Sequence, residues 1–264
     1  MLGKTVRLNR IFHQPDGRLV SIAIDHGISH SYELPAGLRP LRKTMAAIME
    51  GGPDTLTMCK GTAKHCFQPY AGKVPLIMQA VYRVPHLGQR EFQMGFADEA
   101  LRLGADAIAM SITVGDDNQP VAVNGLAQLV READPLGLPV IAHISPSGDR
   151  LGDEVTSLKW VRYAARTGME VGVDVMKLLY TGDPESFREV VEMSPIPIVC
   201  AGGPRAASFR EFLVMVEGII TSGARGMTAG RNVWEESNIP GAIRAMHAII
   251  HENRTVDEAM EHMS

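Results

Sequence analysis

A lysine set between apolar residues is the strongest chemical signal in the chain. Lys177 lies in Val173-Asp174-Val175-Met176-Lys177-Leu178-Leu179-Tyr180. Read as a strand, side-chain alternation puts Lys177 on one face with Val173, Val175 and Leu179, and puts Asp174 and Met176 on the other. Withdrawing an ammonium group from water disfavours its charged form. Lowering a lysine pKa from ~10.4 toward about 7–8 leaves a free amine at neutral pH, at about 1.4 kcal/mol per unit. Such an amine attacks a carbonyl carbon and forms a Schiff base. The competing reading is a strand-end lysine whose stem packs while its head reaches water.

Three other places carry chemistry. Ala201-Gly202-Gly203-Pro204-Arg205 and Ala229-Gly230-Arg231-Asn232 are glycine turns that each follow a short apolar run. Glycine lets backbone N–H groups approach phosphate oxygens, and Arg205 and Arg231 would add charge. Ordinary glycine-containing turns are the alternative. Asp25-His26-Gly27 follows the run LVSIAI. Its carboxylate could orient a substrate or move protons, with His26 sharing that work, or Asp25 could simply cap a helix.

The elements that must position these residues alternate between two types. Eight short apolar runs read as strands: Leu19–Ile24, Thr55–Met58, Leu76–Ala80, Ala107–Ile112, Pro139–His143, Val173–Leu179, Ile196–Cys200 and Gly226–Ala229. They are near-continuous, as strands covered on both faces should be. Helical patterns fill the gaps: Phe92–Arg102, Leu126–Ala133, Ser157–Arg166, Ser186–Met193, Phe209–Ile220 and Ile239–His251. The segment Gly61–Gly72, broken by Pro69, reads as a loop with a short helix. Thr255–Met263 reads as a C-terminal helix with Thr255 and Glu258 as its capping box. Eight strand–helix units predict an α/β fold, a single-domain (β/α)8 TIM barrel over residues 1–264. A doubly wound open sheet is the alternative, but no GxGxxG follows the first strand. In a barrel, function gathers at the C-terminal ends of the strands, and phosphate sites form after the seventh and eighth. The four clusters fall there.

Composition narrows the function classes. The net charge is −4, so there is no basic footprint for nucleic acid or anionic membranes. No apolar run is long enough for a membrane helix, and the N-terminal stretch lacks the apolar core of a secretory signal. A cytoplasmic protein is expected. Cys59, Cys66 and Cys200 read as reduced thiols. Cys59, His65 and Cys66 match no standard zinc spacing, so neither a metal nor a cofactor is expected.

Taken together, these stretches resemble the archaeal-type class I fructose-bisphosphate aldolase family. Its relatives include the aminodideoxyheptulosonate synthases and the phospho-autoinducer-2 thiolase. The resemblance rests on Ile24-Asp25-His26-Gly27, Gly104-Ala105-Asp106-Ala107, Lys177 with Tyr180-Thr181-Gly182-Asp183, Gly202-Gly203-Pro204, Gly230-Arg231-Asn232-Val233-Trp234, and the tail from His251 to Ala259. It implies a Schiff-base lysine at Lys177, a substrate-positioning carboxylate at Asp25 and a phosphate held by the two glycine turns. It also implies a homo-oligomer, of which decamers are one family form.

One departure stands out. Where the family has a Met-Tyr-Pro-Arg-Gly type motif with a proton-shuttling tyrosine, this chain reads Ile144-Ser145-Pro146-Ser147-Gly148. Ser145 replaces the tyrosine, and a serine hydroxyl is a poorer acid than a phenol of pKa ~10. The loop after the first strand reads Ser29-His30-Ser31-Tyr32 instead of the family's Gly-Pro. His143, Tyr82, His26 and Tyr180 are candidates for the missing proton transfer. The expected function is therefore a metal-independent carbon–carbon lyase or transferase acting on a phosphorylated sugar or ketone, not a standard fructose-bisphosphate aldolase. A Schiff-base transaldolase or thiolase, a metal-dependent or isomerase-type barrel, and a non-catalytic sugar-phosphate-binding barrel are the rival readings.

Overall fold

The computed structural model describes residues 1–27, 34–84, 90–149 and 151–264, with side chains except at 82–84, 90 and 91. The stretch Ser29–Tyr32 and the side chain of Tyr82 lie outside that description.

The strands in chain order are β1 (Leu19–Ala23), β2 (Thr55–Cys59), β3 (Leu76–Val84), β4 (Arg90–Gln93), β5 (Ala107–Val114), β6 (Val140–Pro146), β7 (Val175–Leu178), β8 (Ile198–Ala201) and β9 (Gly226–Ala229). All but β4 pair in parallel around a closed barrel, and β9 returns to β1 with Leu19 opposite Gly226 and Ile22 opposite Ala229. The helices that cover it are α1 (Leu2–Ile11), α2 (Leu41–Gly51), α3 (Lys60–Cys66), α4 (Ala97–Arg102), α5 (Gln119–Ala133), α6 (Leu158–Val171), α7 (Pro184–Glu192), α8 (Phe209–Thr221), α9 (Arg231–Trp234), α10 (Ile239–Ile250) and α11 (Val256–Met260). Among the described residues, no helix is long and apolar enough to cross a membrane.

β1, β3 and β5–β8 divide their side chains between two apolar cores. On β6, Val140, Ala142 and Ile144 join the large cluster between barrel and helices, while Ile141 joins a small inner cluster with Leu19, Ile77, Ala107, Ala109, Val175 and Val199. The same parity holds on β1, where Val20 and Ile22 face out. Inner residues one step further along, toward the C-terminal ends, are polar. Ser21, Thr57, Gln79 and Thr228 are buried there. The barrel interior thus changes from apolar to polar along its axis.

The N-terminal segment, which carries no strong periodic signal in the sequence, forms α1 and closes the apolar end. Ile11 is fully buried in the inner cluster, with Leu8 and Phe12 against it. Lys4 reaches Asp174 at 2.8 Å and Asp134 at 2.5 Å, tying the plug to the loops beneath β6 and β7.

Several expected boundaries move. The fifth barrel strand runs to Pro146 instead of stopping at His143, because β5 and β6 stay in register from Ile108–Val140 to Val114–Pro146 without a bulge. The sixth is shorter than Val173–Leu179. Val173 packs in the outer cluster before the strand begins and does not share a face with Lys177. Phe92–Arg102 is not one helix: its first part is β4, antiparallel to the end of β3, and only Ala97–Arg102 is helical. The C-terminal helix is capped as expected, with the Thr255 hydroxyl accepting from Glu258 N–H and the Glu258 carboxylate returning to Thr255 N–H at 2.8 Å.

Candidate active site

Lys177, His143 and Ser111 lie side by side on three adjacent strands. Register puts Ser111 on β5 opposite His143 on β6, and His143 opposite Lys177 on β7. All three share the inward parity of Ala109, Ile141 and Val175. Lys177 is half-buried. Its surroundings differ from the uniformly apolar ones that its neighbours in sequence suggest. Met176 and Leu178 are apolar but face outward. Inside, it meets the polar layer.

Asp25 sits just past β1 and is buried, at 8% exposure. Its Oδ1 lies 3.1 Å from His26 Nδ1. The His26 ring stands edge-on to Trp234, with centroids 5.6 Å apart. The Trp234 indole N–H donates to the Ala23 carbonyl at 3.0 Å, so α9 pins the end of β1 beside the site. Gly230 leaves room for this pair, since a Cβ there would come 2.8 Å from the His26 ring and displace it.

The charges are coupled. Burial lowers the Lys177 amine below the ordinary lysine value, and the Asp25 carboxylate partly opposes this. Burial works to raise the Asp25 pKa, but His26, then Lys177 and His143, outweigh it and hold the carboxyl well below the usual carboxylate range. Burial, reinforced by the Lys177 charge and opposed by Asp25, pushes the His143 imidazole well below 6.5. At neutral pH the site therefore holds an anionic carboxylate and a neutral imidazole beside a lysine whose amine loses its proton more easily than an exposed one. That constellation can add an amine to a carbonyl and stabilise the cation that follows.

The two glycine turns come together above β8 and β9. Gly202 N–H donates to the Thr228 carbonyl at 2.9 Å, and a Cβ on Gly202 would lie 3.1 Å from Ala229 Cα. Asn232, buried at 4% exposure, ties the turns together. Its amide donates to the Gly202 carbonyl at 2.8 Å and the Pro204 carbonyl at 2.9 Å, and its oxygen accepts from Ala206 N–H at 2.8 Å. Arg231 reaches the Gly203 carbonyl at 3.4 Å. Arg205 is directed elsewhere, paired with Glu235 at 3.1 Å and Glu236 at 3.4 Å.

Of the other expected residues, Ser145 is half-buried and shares the inward parity of His143, one layer nearer the mouth. Tyr180 turns outward. Its ring packs against Phe187 and its hydroxyl lies over Gly218 of α8, while burial with the Asp183 charge pushes its pKa up to about 12. That position takes it out of the inner layer. Sequence reasoning passed over Gln79, Ser111 and the clamp role of Asn232. The first two had a visible signal, a polar residue inside the apolar runs LIMQAV and AIAMSITV.

A possible metal-ligand set lies at the opposite end of the barrel. Among the described residues, Asp54, His247 and His251 bring ligand atoms within 4.8 Å of one another. Those atoms already have partners. Asp54 takes Val20 N–H at 2.6 Å, Gln14 at 2.7 Å and His251 at 2.9 Å, while His247 bonds the Gly52 carbonyl at 2.7 Å. The set works as a polar lock between α10 and the start of β2.

Comparison with known proteins places the chain among aldolases. The profile of the family described as DeoC/LacD family aldolase matches residues 19–236. The 2-amino-3,7-dideoxy-D-threo-hept-6-ulosonate synthase of Halobacterium salinarum is 34% identical over 98% of this chain and 95% of its own. The class 1 fructose-bisphosphate aldolase of Thermoproteus tenax is 30% identical over 98% of this chain and 99% of its own. An archaeal fructose-1,6-bisphosphate aldolase solved with its catalytic lysine covalently bound to the carbinolamine intermediate superimposes with a TM-score of 0.84. It is 30% identical, over 94% of this chain and 99% of that one.

Proposed function

The chain belongs to the DeoC/LacD family of aldolases, and from that premise we propose that it makes or breaks a carbon–carbon bond through a Schiff base on Lys177. The observation that carries this is the inward-facing amine of Lys177, its pKa lowered by burial, in the same polar layer as His143 and beside Asp25.

In the cleavage direction, the Lys177 amine adds to a ketone carbon and its proton passes to the oxygen. The resulting carbinolamine takes one proton, loses water and becomes a cationic iminium. The electron pair of the breaking carbon–carbon bond then flows to the iminium nitrogen and leaves an enamine. The departing carbon becomes a carbonyl as its hydroxyl proton passes to a base. Asp25 with His26 is the pair suited to hold that hydroxyl and take its proton. His143 faces the same space, and Ser145 lines it nearer the mouth.

The substrate class we infer is a phosphorylated sugar or ketone. Gly202 N–H is already given to the Thr228 carbonyl, so the donors the two turns would offer are the backbone N–H groups of Gly203, Gly230 and Arg231, and Arg231 supplies a nearby positive charge. Binding a phosphate there would fix the reacting carbon at a distance and contribute orientation. Arg205 reaches such a phosphate only after leaving Glu235 and Glu236. Ser145 in place of a phenol favours a transfer or thiolytic reaction over fructose-bisphosphate cleavage. We also propose one barrel domain assembling as a homo-oligomer, for which exposed apolar side chains such as Leu2 and Val121 offer contacts. Light scattering of the purified protein tests that.

The decisive experiment is reductive trapping. The protein is incubated with a panel of phosphorylated ketones, reduced with borohydride, digested and mapped by mass. The expected adduct is on Lys177, and Lys177→Met abolishes it while the circular dichroism spectrum stays unchanged. An adduct on another lysine, or none across the panel, refutes the proposal.

A further inference from the structure

His143 has two chemically distinct ring nitrogens, and the contacts behind it select between its tautomers. The selection begins at Gln79, buried at 2% exposure on β3. Its amide nitrogen lies 2.9 Å from the Val81 carbonyl and 2.6 Å from Ser111 Oγ. The carbonyl oxygen of Val81 can only accept. The atom facing it must therefore be the amide nitrogen and not the amide oxygen. Exchanging the two would put two acceptors against each other in the interior. The same nitrogen therefore donates its second N–H to Ser111. The arrangement leaves Gln79 Oε1 buried without a partner, a cost that the fixed orientation must offset.

Ser111 then has one hydrogen to give. Its oxygen accepts from Gln79, and its hydroxyl faces His143 Nδ1 at 3.4 Å. That is at the long end for a hydrogen bond, as contacts in an unliganded active site commonly are. A serine hydrogen directed along that contact makes Nδ1 the acceptor and leaves the proton of the neutral ring on Nε2. We propose that Gln79 and Ser111 are positioning residues that hold His143 as its Nε2–H tautomer, so that His143 serves the reaction as a neutral hydrogen-bond donor and not as a general base.

The inference rests on the Schiff-base reading for its chemical use, and on the contacts alone for the tautomer. A neutral imidazole N–H polarises a carbonyl without giving up its proton. Here it would hold the ketone oxygen as Lys177 adds, and the carbinolamine oxygen afterwards. The groups facing His143 are Lys177, Asp25 and His26. Burial disfavours an imidazolium, and a cationic ring would be a poor neighbour for the iminium. With Nε2 protonated and Nδ1 already accepting, no ring lone pair is left to take a substrate proton. That work falls to Asp25 and His26.

The test reads the tautomer directly. Uniformly 15N-labelled protein is examined by long-range 1H–15N correlation, with His143→Gln used to assign the ring. The wild-type pattern expected near neutral pH is a protonated Nε2 and an unprotonated, hydrogen-bonded Nδ1. Ser111→Ala should mix the tautomers, and Ser111→Thr, which keeps a hydroxyl, should restore the single pattern. On a substrate found by trapping, Ser111→Ala should lower kcat roughly ten-fold with KM little changed, and Ser111→Thr should recover most of it. A protonated Nδ1 in the wild type, or an unchanged tautomer in Ser111→Ala, overturns the proposal. So does unchanged kcat in Ser111→Ala with the shape of its pH profile intact. The spectrum needs no substrate. A protein with the expected tautomer and no trapped adduct would therefore refute the Schiff-base reading while leaving the positioning by Gln79 and Ser111 standing.

Discussion

Replacing Asn232 by alanine should loosen the site without touching Lys177. The side chain makes three hydrogen bonds of 2.8–2.9 Å, all to backbone groups of the turn after β8, from a buried position. A net value of about 1 kcal/mol per bond gives roughly 3 kcal/mol, and more if the Gly202 carbonyl stays dry and unpaired. For a chain near this size, about 2–4 °C of melting temperature accompanies each kcal/mol, so the loss should be roughly 6–12 °C. Thermal scans by far-ultraviolet circular dichroism measure it. Asn232→Asp is the stricter comparison. A carboxylate keeps the acceptor for Ala206 N–H but sets an anion against two carbonyl oxygens, so it should melt below the alanine variant. In activity, both variants should raise KM for a phosphorylated substrate more than they lower kcat, because the turn belongs to binding. An alanine variant melting within about 1 °C of wild type would refute the clamp. So would an unchanged KM with reduced kcat.

Three other outcomes follow from the structure. Asp25→Asn removes the anion that opposes the lowering of the Lys177 pKa. The acid limb of the trapping rate should move to lower pH even as cleavage falls, and a limb that stays or moves up contradicts the coupling. At the opposite end, burial works to lower the His251 pKa, but Asp54 and Asp16 outweigh it and raise it. A raised pKa contributes stability that is complete below the unfolded value near 6.5 and fades as pH rises through the folded value. Asp54 is lowered, so its share is present above about 3.8 and is lost as pH falls through the folded value. Urea curves should therefore show the largest gap between wild type and His251→Gln at about pH 4–6, shrinking above pH 7. A gap that grows with pH rejects the pairing. Finally, Gly226 has a φ of +121°, and a Cβ there would collide with the Leu19 backbone carbonyl at the seam that closes the barrel. Gly226→Ala should cost at least about 3 kcal/mol and show as lost soluble yield or a much lower melting temperature. Near wild-type melting would mean the seam can shift.

Much of this protein is legible as pattern. Eight near-continuous apolar runs separated by amphipathic stretches leave few architectures that bury every face, and the barrel is the one that forms. Thr255 and Glu258 announce a helix start because capping is local, settled within four residues. The glycine turns and Lys177 are visible for the same reason: their signal lies in adjacent residues. Local patterns fail where the cause is distant. The helical spacing from Phe92 to Arg102 gives way to β4 because an antiparallel partner, the end of β3, is available at Val81–Val84. The plug α1 has weak periodicity of its own and gains its burial only from the closed barrel beneath it.

The sequence alone determined which chemistry was available: an amine within an apolar strand, a carboxylate at a strand end, glycine turns after the last two barrel strands, and Ser145 in place of a phenol. Which groups meet was decided only by tertiary structure. Tyr180 and Lys177 are three residues apart, yet one faces α8 and the other the barrel interior. Gln79, Ser111 and His143 are 32 residues apart at each step, yet form one line of contacts across β3, β5 and β6. Strand alternation fixes a side chain's face relative to its neighbours, but the closure of the barrel decides which face is the inside. Register across the strands then sets who stands beside whom, and that depends on packing contributed by the whole chain.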